Sequence, residues 1–381
     1  MTEAVLCADI GTTSLKAGLV TADGEVVAVC GVKFNSADDI HHIARQWLPA
    51  FCRAVQKLSR ICAGKSDVRI AAVSISGNGP TVVTEDGTTV LWNDSRLPRD
   101  YAGPSLFIPR LIALRSLFPN EFGASKKIFS GPEYLIWQLT GSAITILPES
   151  RFESAYWNDS ALTEAEILPE KLPAFCKITQ KCGEIPADFF TGHEIPSKVG
   201  KISGSLSFDF PLPVFGAGPD FVAALIGTNT LAAGRLCDRS GSSEGLNFCV
   251  PSRILADGLR TLPSVIPGLW NISALIPDSG RMPENQRIEM LSRAVRQLRQ
   301  IAQENRFEFP AEMLVTGGQT KNPGYMRRKS LALGIALVEA NCDDAELLGD
   351  ACAAYCGLGK FRGLQEAASS IVREGKKYEV L

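Results

Sequence analysis

The first 77 residues constrain the fold more than any other part of the sequence. Two apolar runs, AVLCADI and KAGLVTADGEVVAVCGVKF, alternate as strands do, and Asp23-Gly24 inside the second run suits a tight hairpin turn. QWLPAFCRAVQKLSRICAG repeats apolar residues at helical spacing and ends in Gly64. RIAAVSISG then has the near-continuous apolar character of a strand buried on both faces. Hairpins, a crossover helix and a parallel strand together predict a mixed sheet in an α/β domain.

The length indicates a second unit of similar size. A chain of 381 residues is too long for one ordinary core and fits two domains of roughly 150 to 200 residues. GSLSFDFPLP at residues 204–213, with its serines, glycine and prolines, separates an irregular middle region from a new apolar run, VFGAG. We therefore expect an N-terminal domain over residues 1–210 and a C-terminal domain over residues 211–381.

Charge and cysteine content limit the partners of the protein. The net charge is −2, from 39 basic and 41 acidic residues, so no broad basic face is expected to bind nucleic acid or anionic lipid. No apolar stretch approaches about 18 residues and no secretory pattern opens the chain, which predicts a cytoplasmic protein without a membrane partner. The eleven cysteines include no CxxC pair and are expected to be mostly buried thiols. Cys352 and Cys356, one helical turn apart, are a weaker metal-site alternative.

The two predicted domains share a short pattern. CADIGTTSLKAGLV at residues 7–20 aligns with CDRSGSSEGLNFCV at residues 237–250, and both consist of strand, glycine, paired hydroxyls and strand. Gly-Ser turns are abundant, so the match is either a coincidence or an internal repeat. A repeat would suit a ligand that is held from both sides.

The first of these turns has the groups that phosphate binding requires. A glycine lets backbone N–H donors approach closely, Thr12 and Thr13 add hydroxyls, and Lys16 supplies positive charge. Asp9 at the strand end could hold Mg²⁺ through water, because that ion keeps much of its hydration. A hairpin with solvated hydroxyls and an exposed lysine explains the spacing equally well. Neither GxxxxGK[ST] nor a helix-opening GxGxxG occurs, so a P-loop or dinucleotide fold is not supported.

Two further glycine-rich turns precede predicted helices. In VFGAGPDFVAALIGT, Asp220 lies where a helix would begin, so it is an N-cap or a catalytic carboxylate, and the pattern alone favours the cap. In LVTGGQTKNPGYMRRKSLALGIAL, residues 314–337, a Gly-Gly turn precedes a helix that is expected to begin near Pro323. This second turn is either a plain connection or a place where a flat heterocycle contacts the backbone.

Taken in chain order, these segments resemble the FGGY family of carbohydrate kinases, two-domain proteins of the actin-like ATPase superfamily. DIGTTSLKAGLVTADGEVV resembles the first phosphate motif, VSISGNG with VLWNDSR the strand and substrate loop, and GPEYLIWQLTG the helix that closes the variable region of the first domain. GAGPD resembles the turn with the catalytic aspartate, SGSSEG the second phosphate motif, and GGQTKNP with ELLGDACAAYCGLG the adenosine region. The six motifs cover most of the chain in family order.

The resemblance implies two ribonuclease H-like domains, each a mixed β-sheet flanked by helices, with a cleft between them. It implies ATP-dependent phosphorylation of a hydroxyl of a small carbohydrate, which is a ketose, a sugar acid or a polyol. Asp220, in the second domain, would be the general base, and Asp9 would organise Mg²⁺. The implied contacts are Gly11, Thr12, Thr13, Lys16, Gly241, Ser242 and Ser243 for the ATP phosphates, Gly317, Gly318, Gln319 and Asn322 for adenosine, and Asn78, Trp92, Asp94, Arg96 and Asp220 for the substrate.

The sequence also departs from the family pattern. The chain is shorter than is usual in the family, SGNGP lacks the histidine that ketopentose kinases have in this loop, and Phe221 follows Asp220 where a polar substrate contact is often found. A nucleotide- or sugar-binding regulatory protein that no longer phosphorylates is therefore the alternative function. The sequence leaves the sugar open, and also the oligomeric state, with a homodimer as one option.

Overall fold

A computed structural model describes residues 2–35, 39–63, 67–98, 101–187, 189, 206–241 and 243–380. The strands in these ranges are β1 (Thr2–Ile10), β2 (Ser14–Val20), β3 (Val26–Lys33), β4 (Val68–Gly77), β5 (Val82–Thr84), β6 (Thr89–Val90), β7 (Ile128–Phe129), β8 (Ile144–Leu147), β9 (Ala174–Lys177), β10 (Gly183–Ile185), β11 (Leu206–Phe208), β12 (Leu212–Pro219), β13 (Leu236–Ser240), β14 (Glu244–Val250), β15 (Arg260–Pro263), β16 (Trp270–Ile276), β17 (Glu312–Thr316), β18 (Ala336–Ala340) and β19 (Glu374–Tyr378). The α-helices are α1 (Trp47–Cys62), α2 (Ile108–Leu117), α3 (Pro119–Ala124), α4 (Glu133–Thr140), α5 (Asp159–Glu164), α6 (Asp220–Gly227), α7 (Glu284–Glu304), α8 (Pro323–Leu333), α9 (Ala345–Gly357) and α10 (Leu364–Ile371). Short 3₁₀-helices cover Ile40–Gln46, Ser150–Ala155, Pro169–Lys171, Ser279–Arg281 and Gly318–Lys321.

The N-terminal strands form the centre of a first, seven-stranded mixed sheet. Its order is β10-β12-β4-β1-β2-β3, and β11 also pairs with β4. β1, β2 and β3 form an antiparallel meander, with Gly24 at a φ of 82° in its second turn, and β4 runs parallel to β1. The predicted hairpins, helix and buried parallel strand are confirmed. α1 ends at Cys62, and Gly64, the predicted end of the helix, lies outside the described residues.

A second seven-stranded sheet repeats this arrangement. Its order is β15-β16-β14-β13-β17-β18-β19. β13, β14 and β16 pair antiparallel in that order with β15 added at the edge, β17 runs parallel to β13, and β18 runs parallel to β17. β1, β2, β3, β4 and β12 pair in the same order, so residues 7–20 and 237–250 are the equivalent first hairpins of two similar sheets. The internal repeat, one of the two predicted explanations, is therefore confirmed.

The division between the sheets differs from the predicted boundary at residue 211. β12 pairs in parallel with β4, so the strand that leads to Asp220 belongs to the first sheet. The Pro-rich segment before β12 has the composition of a linker, yet its residues 206–208 form β11 and also pair with β4. We call the first sheet with its helices the first lobe, and the second sheet with its helices the second lobe. Asp220 lies in the first lobe, which corrects its predicted assignment to the second domain.

Two helices, α6 and α9, lie where the chain crosses between the lobes. α6 follows β12, and α9 returns from β18 to pack against β1, β4, β12 and α6. The two helices touch backbone to backbone, because a Cβ added to Gly349 would lie 1.9 Å from the carbonyl oxygen of Ala223, and one added to Gly227 would lie 1.8 Å from that of Ala345. The buried apolar residues form two clusters accordingly, one around the first sheet with α1, α6, α9 and α10, and one around the second sheet with α7 and α8.

Two other sequence predictions concern membranes and thiols. None of the helices in the described ranges combines the length and hydropathy needed to cross a bilayer. Nine of the eleven cysteines are buried and the other two, Cys30 and Cys356, are half-buried. The predicted use of most thiols as small core residues is confirmed.

Candidate functional site

Three parallel strands of the first sheet end at one edge, where α/β proteins commonly bind ligands. β1 ends next to Asp9, β4 ends next to Ser76, and β12 ends directly before Asp220. The register pairs Asp9 with Ser76, and Ser76 with Gly218 of β12. Segments that are far apart in sequence therefore bring their polar side chains to the same place.

The turn between β1 and β2 is tight and remains open to solvent. The Gly11 N–H donates to the Ser14 carbonyl oxygen at 2.9 Å, and a Cβ at Gly11 would lie 3.0 Å from that oxygen. Thr13 is exposed, and Thr12 accepts a hydrogen bond at Oγ1 from the indole N–H of Trp92 at 3.2 Å. The structure thus brings Trp92 of the predicted substrate loop to the predicted phosphate turn.

Acidic side chains outnumber basic ones around this turn. Lys16, opposite Asp9 across the hairpin, forms a 2.5 Å ion pair with Asp344. Burial acts to lower the pKa of Lys16, but the carboxylates of Asp344, Glu346 and Asp9 outweigh burial and raise that pKa above its ordinary value. Burial raises the pKa of Asp9, and the charges of Glu346 and Asp220 add to the rise. Three carboxyl groups therefore act on one ammonium group, and Asp220 adds a fourth that acts on Asp9, an excess that attracts cations.

This excess fits a divalent cation that is held largely through water. Within the described ranges, no three His, Cys, Asp or Glu side chains are grouped to hold a metal ion. Mg²⁺ needs no such group, because it retains several waters and usually takes one or two protein carboxylates. Behind Asp9, the Ser76 hydroxyl lies 3.4 Å from Asp9 Oδ1 and 3.0 Å from Asp350 Oδ2. Ser76 and the fully buried Asp350 therefore support Asp9 from behind.

Asp220 begins α6 and is half-buried at the same edge. Its Oδ1 accepts a hydrogen bond from the Phe221 N–H at 2.7 Å, and the Gly79 N–H is a further donor. Burial raises the pKa of Asp220 to about 6, while the charge of Arg239 acts against the rise and that of Glu346 adds to it. The cap interpretation holds only in part, since Asp220 bonds its immediate neighbour and no N–H deeper in the helix. A carboxyl group with a pKa near neutrality suits proton transfer.

Asn78 follows β4 and is almost fully buried. Its backbone N–H donates to the Ile10 carbonyl oxygen at 2.6 Å, and its Oδ1 accepts from the Thr81 hydroxyl at 2.9 Å. Its Nδ2 is buried and finds no acceptor among the described residues. Buried donors nearly always have a partner, so this one suits a ligand oxygen. The assignment of Asn78 to the substrate stays a prediction.

Asp94 and Arg96 of the predicted substrate loop bind each other. Asp94 Oδ1 accepts from Arg96 Nε at 3.0 Å and Oδ2 from Nη2 at 2.9 Å, and these hydrogen bonds lower the pKa of Asp94. Arg96 Nη2 also lies 2.8 Å from Nε2 of the His41 ring. The pair borders a cavity of about 250 Å³ that Asp220 and Asn78 do not line. The lining consists of Ile40, His41, Leu91, Asn93, Asp94, Ser95 and Arg96.

The turn between β13 and β14 contacts the predicted adenosine segment. The Gly241 N–H donates to the Ser243 carbonyl oxygen at 3.2 Å, and Ser242 lies outside the described residues. The Gln319 amide donates to the Gly241 carbonyl oxygen at 3.2 Å. A Cβ at Gly317, which has a φ of 96°, would lie 2.3 Å from the backbone of the strand before Gly241. The structure therefore brings these two predicted motifs together.

The remaining residues predicted to bind adenosine differ in whether their side-chain atoms already have hydrogen-bond partners. Gly318 begins a 3₁₀ turn, and Gln319 Oε1 is buried without a donor in the described part of the chain. Asn322 caps α8, because its Oδ1 accepts from the Tyr325 N–H at 3.0 Å. α8 begins at Pro323, as predicted. Gln319 thus keeps an unmet acceptor, whereas the side-chain oxygen of Asn322 has a structural partner.

A buried charge cluster that the motifs do not predict lies behind the second turn. Lys329 of α8 forms ion pairs with Asp238 and Glu244, and all three side chains are fully buried. Lys329 Nζ also lies 3.0 Å from Ser240 Oγ. Burial and the charge of Glu244 raise the pKa of Asp238 to about 7, and Lys329 acts against that rise. The cluster links both strands of the hairpin to α8. Its sequence signal is the pair of acidic residues, Asp238 and Glu244, inside two predicted strands.

Comparison with known proteins gives weak sequence similarity and close structural similarity. No family model matches the chain. The xylulose kinase of Staphylococcus xylosus is 20% identical over 259 residues, which are 59% of this chain and 50% of that protein. The chain therefore matches about half the length of this relative.

Solved structures align over almost the whole chain. The xylulose kinase from Lactobacillus acidophilus has 15% identity and a TM-score of 0.75, covering 99% of this chain and 94% of that one. The gluconate kinase from the same organism has 15% identity and a TM-score of 0.75, covering 100% and 94%. The glycerol kinase of Plasmodium falciparum, solved with ADP, has 13% identity and a TM-score of 0.78, covering 99% and 94%. The chain has the fold of these carbohydrate kinases, which confirms the fold implied by the FGGY resemblance.

Proposed function

We propose that the protein is an ATP-dependent kinase that phosphorylates a hydroxyl of a small carbohydrate, which is a ketose, a sugar acid or a polyol. The observation that carries this proposal is Asp220, a half-buried carboxyl with a pKa raised to about 6, at the strand edge that also holds Asp9. A base with such a pKa is mostly ionised at neutral pH and can accept a proton there.

The proposed reaction transfers the γ-phosphoryl group of ATP. The substrate hydroxyl oxygen forms a bond to the γ-phosphorus, the bond from that phosphorus to the β–γ bridging oxygen breaks with its electron pair leaving on ADP, and the hydroxyl proton passes to Asp220. The protein mainly positions the groups and stabilises charge in such reactions. Asn78 and Trp92 would orient the substrate, with Asp94 and Arg96 supporting the loop through their mutual pair.

The two glycine turns would hold the nucleotide from opposite lobes. Gly11, Thr12 and Thr13 would donate to its phosphates from the first lobe, and Gly241, Ser242 and Ser243 from the second. Gly317, Gly318, Gln319 and Asn322 would border adenosine. Mg²⁺, when bound, offsets phosphate charge, and Asp9 with its excess of neighbouring carboxylates is the side chain that fits it.

Lys16 would have to change partners in this scheme. It is paired with Asp344 at 2.5 Å, and it lies on the strand that follows the first turn. A phosphate has more charge than one carboxylate, so a bound nucleotide would compete with Asp344 for the ammonium group. In this scheme the Asp344 carboxylate occupies the place on the Lys16 ammonium group that a nucleotide phosphate would take.

The test measures ADP release over a panel of ketoses, sugar acids and polyols. Asp220→Asn keeps the shape of the side chain and removes the base, so turnover of the best substrate should fall about 10² to 10⁴-fold. Asp257→Asn, at an exposed position of the second lobe, serves as the matched control and should retain wild-type turnover. An Asp220→Asn variant that turns over at the wild-type rate would remove Asp220 from the role of base.

A regulatory protein that binds nucleotide or sugar without phosphorylation is the second candidate. The observation that favours it is the commitment of Lys16 to Asp344, which leaves the first turn without a free ammonium group. In that case ADP should raise the melting temperature while no sugar in the panel supports turnover. A single good substrate would exclude this candidate.

A further inference from the structure

Arg239 has a side chain without partners among the described residues, close in sequence to the second glycine turn. It lies on β13, two residues before Gly241. Among the residues that the structure describes, none forms a hydrogen bond or an ion pair with its guanidinium group, and its Nε is buried. A buried guanidinium N–H without an acceptor is costly, so the group is expected to meet an anionic ligand.

The strand geometry directs Arg239 away from the core of the second lobe. Its neighbours Asp238 and Ser240 both contact Lys329 in that core. Successive side chains of a strand point to opposite faces, so Arg239 points to the other side. Gly245 is its partner in the register, and a Cβ there would lie 3.2 Å from Arg239 Nη2. The missing side chain at 245 provides the room that the guanidinium group occupies.

Arg239 acts electrostatically on Asp220 of the first lobe. The positive charge of Arg239 is close enough to lower the pKa of Asp220 against the effect of burial. Arg239 is therefore two residues from the second glycine turn in the chain and also acts electrostatically on the proposed base. A phosphoryl group that moves from a nucleotide on that turn to a hydroxyl beside Asp220 would come under the same positive charge.

The charge balance of the site indicates the same ligand. The ammonium group of Lys16 is paired with Asp344, and two further carboxyl groups, those of Glu346 and Asp9, act on it. A nucleotide with three phosphates adds more negative charge to this excess. Arg239 has no such competing carboxylate in hydrogen-bond contact within the described ranges, so its guanidinium group is available to an incoming anion.

We propose that Arg239 binds the transferring phosphoryl group and donates hydrogen bonds to its oxygens as that group passes from the nucleotide to the acceptor. This inference rests on the proposed kinase function. A planar guanidinium fork matches two phosphate oxygens at once, and an arginine in this role accelerates phosphoryl transfer in other enzymes by roughly 10³ to 10⁵-fold. Arg239 forms no covalent bond and only stabilises charge.

The experiment compares the binding of two nucleotides, which separates this inference from the function on which it rests. Dissociation constants for ADP and for the non-hydrolysable ATP analogue AMP-PNP, both with Mg²⁺, are measured by calorimetry for wild type, Arg239→Gln and Arg239→Lys. Arg235→Gln, an exposed arginine four residues upstream, is the matched control. Arg239→Gln should weaken AMP-PNP about tenfold or more and change ADP less than about threefold, because only AMP-PNP has the third phosphate.

The variants also give distinct kinetic results. Turnover of Arg239→Gln should fall about 10³-fold, Arg239→Lys should recover part of the loss through its charge, and Arg235→Gln should match wild type. Equal weakening of ADP and AMP-PNP, or unchanged AMP-PNP binding, would overturn the inference. If an Arg239 variant has a raised KM for carboxylate-bearing acceptors but binds AMP-PNP normally, Arg239 binds the acceptor substrate. That result would also overturn the inference. Failure of the wild type to bind either nucleotide would refute the proposed function itself, and this inference with it.

Discussion

Replacing Asp220 with asparagine should make the protein more stable while it removes activity. Burial raises the pKa of Asp220 from its ordinary value of 3.8 to about 6, a rise of about two pH units. At 1.36 kcal/mol per unit, the ionised carboxylate costs the folded state about 3 kcal/mol. The side chain is half-buried, so solvent screening reduces the expected gain of Asp220→Asn to about 2 kcal/mol at pH 8. Asparagine can still accept the Phe221 N–H, so that hydrogen bond is retained.

The pH dependence of this gain follows from the direction of the pKa change. The folded state binds the proton of Asp220 more tightly than the unfolded state does, so the carboxylate destabilises the fold fully above pH 6 and progressively less between pH 6 and pH 4. The advantage of Asp220→Asn over wild type should therefore fall to about 1 kcal/mol at pH 5. The same titration should appear as an acid limb near pH 6 in kcat/KM of the wild type.

Urea denaturation at pH 5 and pH 8 tests this prediction. Four of the five tryptophans lie before residue 160, so their fluorescence mainly follows the first lobe, which contains Asp220. The control Asp257→Asn should change the free energy of unfolding by less than about 0.5 kcal/mol at either pH. If Asp220→Asn is less stable than wild type at pH 8, or if its gain is the same at both pH values, the carboxyl group does not carry the proposed burial cost.

Three further predictions follow from close contacts and charges. Gly349→Ala should destabilise the protein by about 1 to 3 kcal/mol in urea denaturation, because the new Cβ would lie 1.9 Å from a backbone oxygen of α6. The control Gly123→Ala should not destabilise, because no atom lies within 4 Å of its new Cβ. Lys329→Met should cost about 3 to 5 kcal/mol, since it leaves two buried carboxylates without their counter-ion, and a loss below about 1 kcal/mol would contradict the cluster. Asp344→Asn should tighten ADP binding in calorimetry by about twofold to tenfold, because it frees Lys16, and unchanged affinity would show that the pair does not compete with phosphate.

Local patterns in the sequence predicted individual elements well. The hairpin with Gly24, the helix before Gly64 and the start of α8 at Pro323 depend on neighbouring residues, and the structure has them. The pairing of β12 was not predictable in this way. Its residues could form a strand in either lobe. Only the parallel pairing with β4, in which Val214 meets Val73, decides which sheet β12 joins.

The charged groups of the site were harder to predict than its turns, because their partners also come from distant parts of the chain. Lys16 meets Asp344 across 328 residues, and Lys329 meets Asp238 across 91. Sequence spacing indicates which groups a turn can offer, but their charge and availability depend on partners that the fold brings from elsewhere. Acidic residues inside two predicted strands, as in CDRSGSSEGLNF, together with a lysine in the predicted helix after Pro323, are the signal that would have indicated the buried cluster.

The two lobes repeat one topology but differ in charge, and this difference is what the proposed function uses. In the first lobe, carboxyl groups outnumber Lys16 around the turn, which favours a cation beside Asp9. In the second lobe, Lys329 largely compensates the buried carboxylates behind the turn, and Arg239 extends from the opposite face without a partner among the described residues. A nucleotide with its metal ion has both signs of charge. Acidic groups in both lobes would repel the phosphates, and basic groups in both lobes would repel the metal ion. Unlike lobes can instead hold the cation beside Asp9 and offset phosphate charge at Arg239, while both turns donate N–H groups to the phosphates.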